Sequence, residues 1–361
     1  MTLLDHLRRR VAAEGPLSVA DLMADALTHP RFGYYATRDP FGAGGDFVTA
    51  PEVSQMFGEL IGLWMAVVWQ QIGAPSRFRL VELGPGRGTL MADALRATRS
   101  VPGFLEAADI HLVEASRTLR ALQAKALKGY RPSWHDNIST LSDGPILLIA
   151  NEFFDALPIV QLVRSDAGWR ERRLAFDPQS GVPLWTLTPG TSALATLLNP
   201  RLLATARSGD VAECSPASLS VAASLARRLA TQGGAALVID YGHGDSGLGD
   251  TLQAVRAHEP VEVLATLGDA DLTAHVDFEA LAQAARQAGA IVHGPVTQGE
   301  FLSALGIGHR AERLAAGATQ AQARDINAAM VRLIDPGEMG TLFKVAAWTG
   351  STATPPPGFE G

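Results

Sequence analysis

A chain of 361 residues, 47% apolar and 19% charged, has enough mass for one large domain or two smaller ones around a sizeable core. Lys and Arg number 30 against 37 Asp and Glu, a formal charge of −7, which argues against nonspecific nucleic-acid binding because that relies on neutralising phosphates. The single cysteine, Cys214, excludes an internal disulfide and a thiolate-rich metal site, and points to a reducing compartment.

The opening "MTLLDHLRRRVAAEG" has helical spacing and lacks the apolar stretch of a secretory signal. Its Arg8–Arg10 run suggests an organellar presequence, but Asp5 and Glu14 oppose that. The expected location is therefore the cytoplasm for a bacterial protein and the mitochondrial matrix for a eukaryotic one, with the cytoplasm favoured. "SVADLMADAL" predicts a second helix, with Ser18 as N-cap and Asp21 three positions on. "HPRFGYYATRDPFGAGGDFVTAP" has no clear period, and loops of this length in compact domains either bind something or are disordered. "EVSQMFGELIGLWMAVVWQQIG" predicts a buried helix, whose apolar run Leu60–Trp69 is too short to span a bilayer. Residues 1–75 thus read as an N-terminal helical lobe carrying a long loop.

From Arg77 onward strands and helices alternate. "FRLVELG", "DIHLVEAS", "PSWHDNI" and "GPILLIANEFF" predict strands, with helices at "TLMADALRATR" and "RTLRALQAKAL". "VQLVRSDAGWRERRLAF" predicts a hairpin around Asp166–Gly168, and residues 185–215 read as irregular. After them come a helix at "SLSVAASLARRLATQGG", a strand at "AALVIDYG", a helix and strand at "DFEALAQAARQAG" and "AIVHGPV", and a last strand at "GTLFKVAAW". The fold expected is α/β, a doubly wound Rossmann-like sheet over residues 76–350, with insertions around 160–215, 243–277 and 299–335. Residues 351–361 read as a mobile tail.

The turn "LVELGPGRGTL", Leu80–Leu90, decides what the sheet binds. It lacks the Lys–Ser/Thr pair of a Walker A loop, and Thr89 stands where a dinucleotide fingerprint has its third glycine. What fits is E-x-G-x-G-x-G, formed by Glu82, Gly84, Gly86 and Gly88. This pattern resembles the class I methyltransferases that use S-adenosylmethionine (SAM). A tight glycine turn lets the backbone approach a ligand without bulky phosphates, and Glu82 suits its cationic end. Glu114, at the tip of the second strand, is placed to accept both ribose hydroxyls, or else is a solvated acid at a strand end. Asp136 follows the third strand, where such enzymes often bond the adenine amino group, and Trp134 is a candidate to pack beside the base or in the core.

The fourth strand runs into "NEFFDALPIV". Amino-methylating enzymes often place Asp or Asn, two residues and an aromatic here; Asn151 and Phe154 fill those positions, while Glu152 and Phe153 replace two prolines. With Asp155 following, the site suits a cationic acceptor. Carboxylates can hold a guanidinium in a fork and free one nitrogen for in-line attack, and Phe153 or Phe154 can add cation–π contact. The alternative is that Glu152 and Asp155 only cap the turn before Pro158.

Together "GYYATRDPFGAGGDFVTAPEVSQMFGELIGLW", "LVELGPGRGTLMADAL", "NEFFDALPI", "DYGH", "TLQAVRAH", "DLTAHVDF" and "GTLFKVAAW" closely resemble the MidA-like methyltransferase family. Its mitochondrial branch is a complex I assembly factor that methylates arginine. The resemblance implies a SAM-dependent protein arginine N-methyltransferase acting on a subunit of NADH:ubiquinone oxidoreductase, with S-adenosylhomocysteine as product. It makes "GGDFVTAP" part of a cofactor lid, through Gly45, Asp46 and Phe47, and puts Asp240–His243 and Thr273–Asp277 on the acceptor side. Glu213 becomes a further candidate guanidinium partner, and His243, His258 and His275 candidate proton acceptors. Methylation of a small molecule and a SAM-binding assembly chaperone without turnover are the competing readings. No metal site, nucleic-acid partner or membrane span is expected. "GDSGL", Gly244–Leu248, lacks the last glycine of a serine-hydrolase elbow.

Overall fold

The β-branched and apolar run Phe78–Leu83 forms a strand, β1, whose residues are buried but for the partly buried Arg79. It lies between two parallel neighbours, Ala108–Val113 (β2) and Ile146–Asn151 (β4). The computed structural model describes residues 2–37, 49–350 and 354–360. The same sheet contains Ser133–His135 (β3), Gly234–His243 (β5), Ile291–Thr297 (β6) and Phe343–Thr349 (β7), in the order β3-β2-β1-β4-β5-β7-β6. β3 pairs parallel to β2, and β5 parallel to β4; β7 runs antiparallel to both β5 and β6. Every residue of β4 is buried, as expected of a parallel strand covered on both faces. The winding reverses between β1 and β4, and in open α/β sheets ligands bind at that switch, beyond the carboxyl ends of the strands.

The chain divides into two compact units, one of them residues 48–153, 221–242 and 282–361. Its core joins Leu80, Leu147, Ile149, Leu237 and Val345 of the sheet to Phe57, Ile61, Trp64 and Val68 of the helix Gln55–Gln71. That helix lies so close to Thr89–Thr98 that a Cβ on Gly62 would stand 2.6 Å from Ala94 Cα. The insertion expected around 299–335 consists of the helices Gln298–Ala304, Ile307–Ala315 and Gln320–Ile334. The C-terminal segment corrects the expected mobile tail: Trp64 Nε1 donates to the Pro357 carbonyl at 3.0 Å, and Phe359, 9% exposed, packs against Phe301. The Phe359 ring seals the edge of the core, which a solvated tail could not do.

The other unit comprises residues 1–47, 154–220 and 243–281. Here Val160–Ser165 and Gly168–Phe176 form the predicted hairpin, closing at Ser165 and Gly168. Pro183–Leu187 pairs with the second of these strands and Val211–Cys214 with the first. Residues 185–215, expected to be irregular, thus hold parts of two strands as well as the helix Pro200–Thr205. A smaller sheet places Gln253–Arg256 between Glu259–Val261 and Asp271–Thr273. The helices Leu3–Glu14 and Val19–Thr28 bury Leu7, Leu22, Met23 and Leu27 against Leu174 and Leu272. Ser18 caps the second helix as predicted, its hydroxyl accepting from Asp21 N at 3.0 Å. The helical stretch of residues 1–75 is thus divided between the two units instead of forming one lobe.

Candidate active site

At the carboxyl end of β1 the three glycines of the turn are left-handed, with φ of +57° at Gly84, +52° at Gly86 and +84° at Gly88. Side chains rarely adopt this region, and a Cβ on Gly84 would also stand 3.2 Å from the Phe153 ring. Gly88 caps the helix Thr89–Thr98. Behind the turn, Glu82 is buried and accepts the N–H of Met91, while its Oε2 has no hydrogen-bond partner in the described structure. Burial pushes its carboxyl up to about 8.

Glu114 follows β2 and is also buried. Its Oε1 accepts from Ser116 N at 2.7 Å and its Oε2 from Gln123 Nε2 at 3.2 Å. Burial raises its carboxyl above the usual range, opposed by the bonds from Ser116 and Gln123 and by the charge of Arg120. Arg120 donates to the Glu114 carbonyl and pairs with Asp136 at 2.5 Å. The Asp136 side chain is 80% exposed, at the rim beyond β3. Trp134 is partly buried against the core, and its indole N–H donates to Gln123 Oε1 at 2.9 Å.

Beyond β4, Asn151 is buried and its Oδ1 has no partner in the described structure. Glu152 is a non-glycine residue at φ +50°, a conformation that costs about 1–3 kcal/mol and collects at functional sites. Its Oε1 accepts from Ala50 N at 3.3 Å and from Asn151 Nδ2 at 3.2 Å. Phe153 N donates to Oδ2 of the fully buried Asp240 at 3.2 Å, which fixes the chain as it leaves the sheet.

Two side chains not among the predicted site residues, Glu52 and Gln123, tie this candidate site together. Glu52, in the short helix Ala50–Val53, accepts from the Thr89 hydroxyl at 2.6 Å, so the segment that touches Glu152 is also fastened to the glycine turn. Gln123 joins the turn to Glu114. The only sequence signal was position: Glu52 follows the "GGDFVTAP" block and Thr89 follows Gly88. Gly45, Asp46 and Phe47 lie outside the described residues.

The remaining candidates belong to the other unit. Asp155 is buried, and its carbonyl accepts from Ala274 N at 3.1 Å. Glu213 accepts from Gln161 Nε2 at 2.7 Å, from Thr251 N at 3.0 Å and from the Thr251 hydroxyl. Thr251 Oγ1 in turn accepts from His275 N at 2.9 Å, so Glu213 anchors the segment that carries His275. Burial raises the Glu213 carboxyl, which these donors oppose. His258 forms an exposed hairpin tip with Ala257, both at positive φ, and His243 ends β5.

Residues 60–296 match the sequence model of the family described as "Putative S-adenosyl-L-methionine-dependent methyltransferase". The chain belongs to this family. The methyltransferase is 38% identical to "Protein arginine methyltransferase NDUFAF7, mitochondrial" of Danio rerio, over 95% of this chain and 86% of that protein. The human protein of the same name is 35% identical, over 96% and 82%. Among solved structures, a Burkholderia thailandensis protein with bound S-adenosyl-homocysteine superposes with a TM-score of 0.82 at 28% identity, over 99% of this chain and 92% of that one. The methyltransferase therefore has the Rossmann-like fold expected and uses SAM, whose sulfonium supplies an activated methyl group. Its residues fit that cofactor. The free oxygen of Glu82 is a buried acceptor suited to a cation, and the left-handed glycines give the turn a backbone conformation that residues with side chains rarely adopt.

Proposed function

We propose that this methyltransferase transfers the methyl group to an arginine side chain of a protein, a subunit of NADH:ubiquinone oxidoreductase, during assembly of that complex. The relatives named as protein arginine methyltransferases support the acceptor, and the letters NDUFAF of their name support the complex. The observation that carries the reading is Glu152, a carboxylate held in a strained conformation at the tip of β4, beside the glycine turn.

In this reading Glu82 faces the cofactor's ammonium, Glu114 its ribose hydroxyls and Asp136 its adenine rim. Glu152 holds the guanidinium, localising its charge and turning one nitrogen toward the methyl group, while Asn151 Oδ1 accepts an N–H. Glu213, a guanidinium partner in the sequence reading, fixes Thr251 and the His275 segment within its own unit. Relatives named as mitochondrial support a mitochondrial location and lend nothing to the cytoplasmic preference drawn from the N-terminus.

The test is transfer of labelled methyl from SAM to arginine in complex I subunits, read by mass spectrometry. Glu152→Gln is expected to abolish transfer while S-adenosylhomocysteine still binds. Label on a small molecule alone, or binding without turnover in the unaltered protein, would defeat the reading.

A further inference from the structure

Gln123 is completely buried in the helix Arg117–Ala126, where nothing apolar requires an amide. Its Nε2 donates to the Gly86 carbonyl at 2.8 Å and to Glu114 Oε2 at 3.2 Å, and its Oε1 accepts from Trp134 Nε1 at 2.9 Å. Gly86 and Glu114 follow the carboxyl ends of β1 and β2, where open α/β sheets bind ligands, and Trp134 lies in β3. The amide has one sense only: reversed, its oxygen would face a carbonyl and a carboxylate, and its nitrogen would face an N–H. A Cβ on Gly88 would stand 3.3 Å from Gln123 Cα, so the backbone here also packs against the last glycine of the turn.

We infer that Gln123 is a positioning residue for the nucleoside, fixing the glycine turn, the Glu114 carboxylate and the Trp134 indole at one separation. Ser116 and Gln123 each occupy one lone pair of Glu114, on different oxygens. With a further backbone bond from Ala115, these donors fix the plane of the carboxylate, whose two oxygens side by side match the two vicinal hydroxyls of a ribose. Without Gln123 the carboxylate turns about its last bond and the pair loses its alignment. The inference rests on the assignment of Glu114 to the ribose.

The experiment compares calorimetric affinities for S-adenosylhomocysteine and its 2′-deoxyribose analogue. The unaltered protein is expected to prefer the ribose form by about tenfold or more, the difference made by a hydrogen bond to a charged acceptor. In Gln123→Met, which keeps the shape and removes the amide, that preference is expected to fall to about threefold or less. Most of the loss should fall on the ribose ligand. A purely structural role would weaken both ligands equally, and a retained preference would overturn the inference. If Gln123→Met does not fold, Trp134→Phe decides in the same terms, since it removes the donor that fixes the amide's sense. An unaltered protein that binds both ligands equally would instead defeat the Glu114 assignment.

Discussion

Burial pushes the Glu82 carboxyl up to about 8, so the free chain is expected to keep this proton at neutral pH. A cation beside it favours the charged form and lowers that value. S-adenosylhomocysteine, which keeps the ammonium, is therefore expected to displace about one proton on binding at pH 7, and progressively less above pH 8. Titration calorimetry in buffers of different ionisation enthalpy measures it, and Glu82→Gln should abolish it. The free protein should respond as well. The folded value lies above the ordinary 4.5, so this group's stabilising contribution is complete below 4.5 and is lost as pH rises through about 8. Glu82→Gln should flatten that part of the stability profile. Two further substitutions test the proposed cofactor contacts. Gly86→Val, at φ +52°, should eliminate S-adenosylhomocysteine binding while leaving the circular dichroism spectrum folded. Glu114→Ala should weaken binding by about 2 kcal/mol, and a calorimetric loss below about tenfold would leave it a structural acid that only ties Ser116 to Gln123.

The helix Gln55–Gln71 shows what a sequence pattern discloses and what it hides. Its apolar length announced burial, but not that Gly62 is where the helix meets Ala94 in near contact. Gly62→Ala drives a methyl group into that backbone and should cost about 1–3 kcal/mol in denaturant unfolding, with little change in cofactor affinity once folded. The parallel strands were legible because burial on both faces leaves uninterrupted apolar runs, and the hairpin because one exposed face leaves alternation. The elements within 185–215 were not, since every residue of Pro183–Leu187 is only partly buried and carries no periodic signal. The site was legible where backbone geometry imposes a residue type, as at Gly84, Gly86 and Gly88. It was illegible where a side chain bridges 37 positions, as Gln123 does to Gly86 and Thr89 to Glu52.

Across the molecule, composition gave no hint that two units share the chain in alternating segments, since both mix helices and strands. The C-terminal stretch was misread for a related reason: three prolines and two glycines within residues 355–361 look like linker, and one aromatic among them decides the outcome. Phe359→Ala should lower stability by about 3 kcal/mol in denaturant unfolding, an effect that a solvated tail would not produce. The alternation also bears on synthesis. Leu7, Leu22 and Leu27 leave the ribosome well before Leu174 and Leu272, which are among their lasting neighbours. Until those distant partners emerge, the apolar faces of the first two helices are an unmatched greasy surface on a nascent polypeptide, a substrate for holding factors.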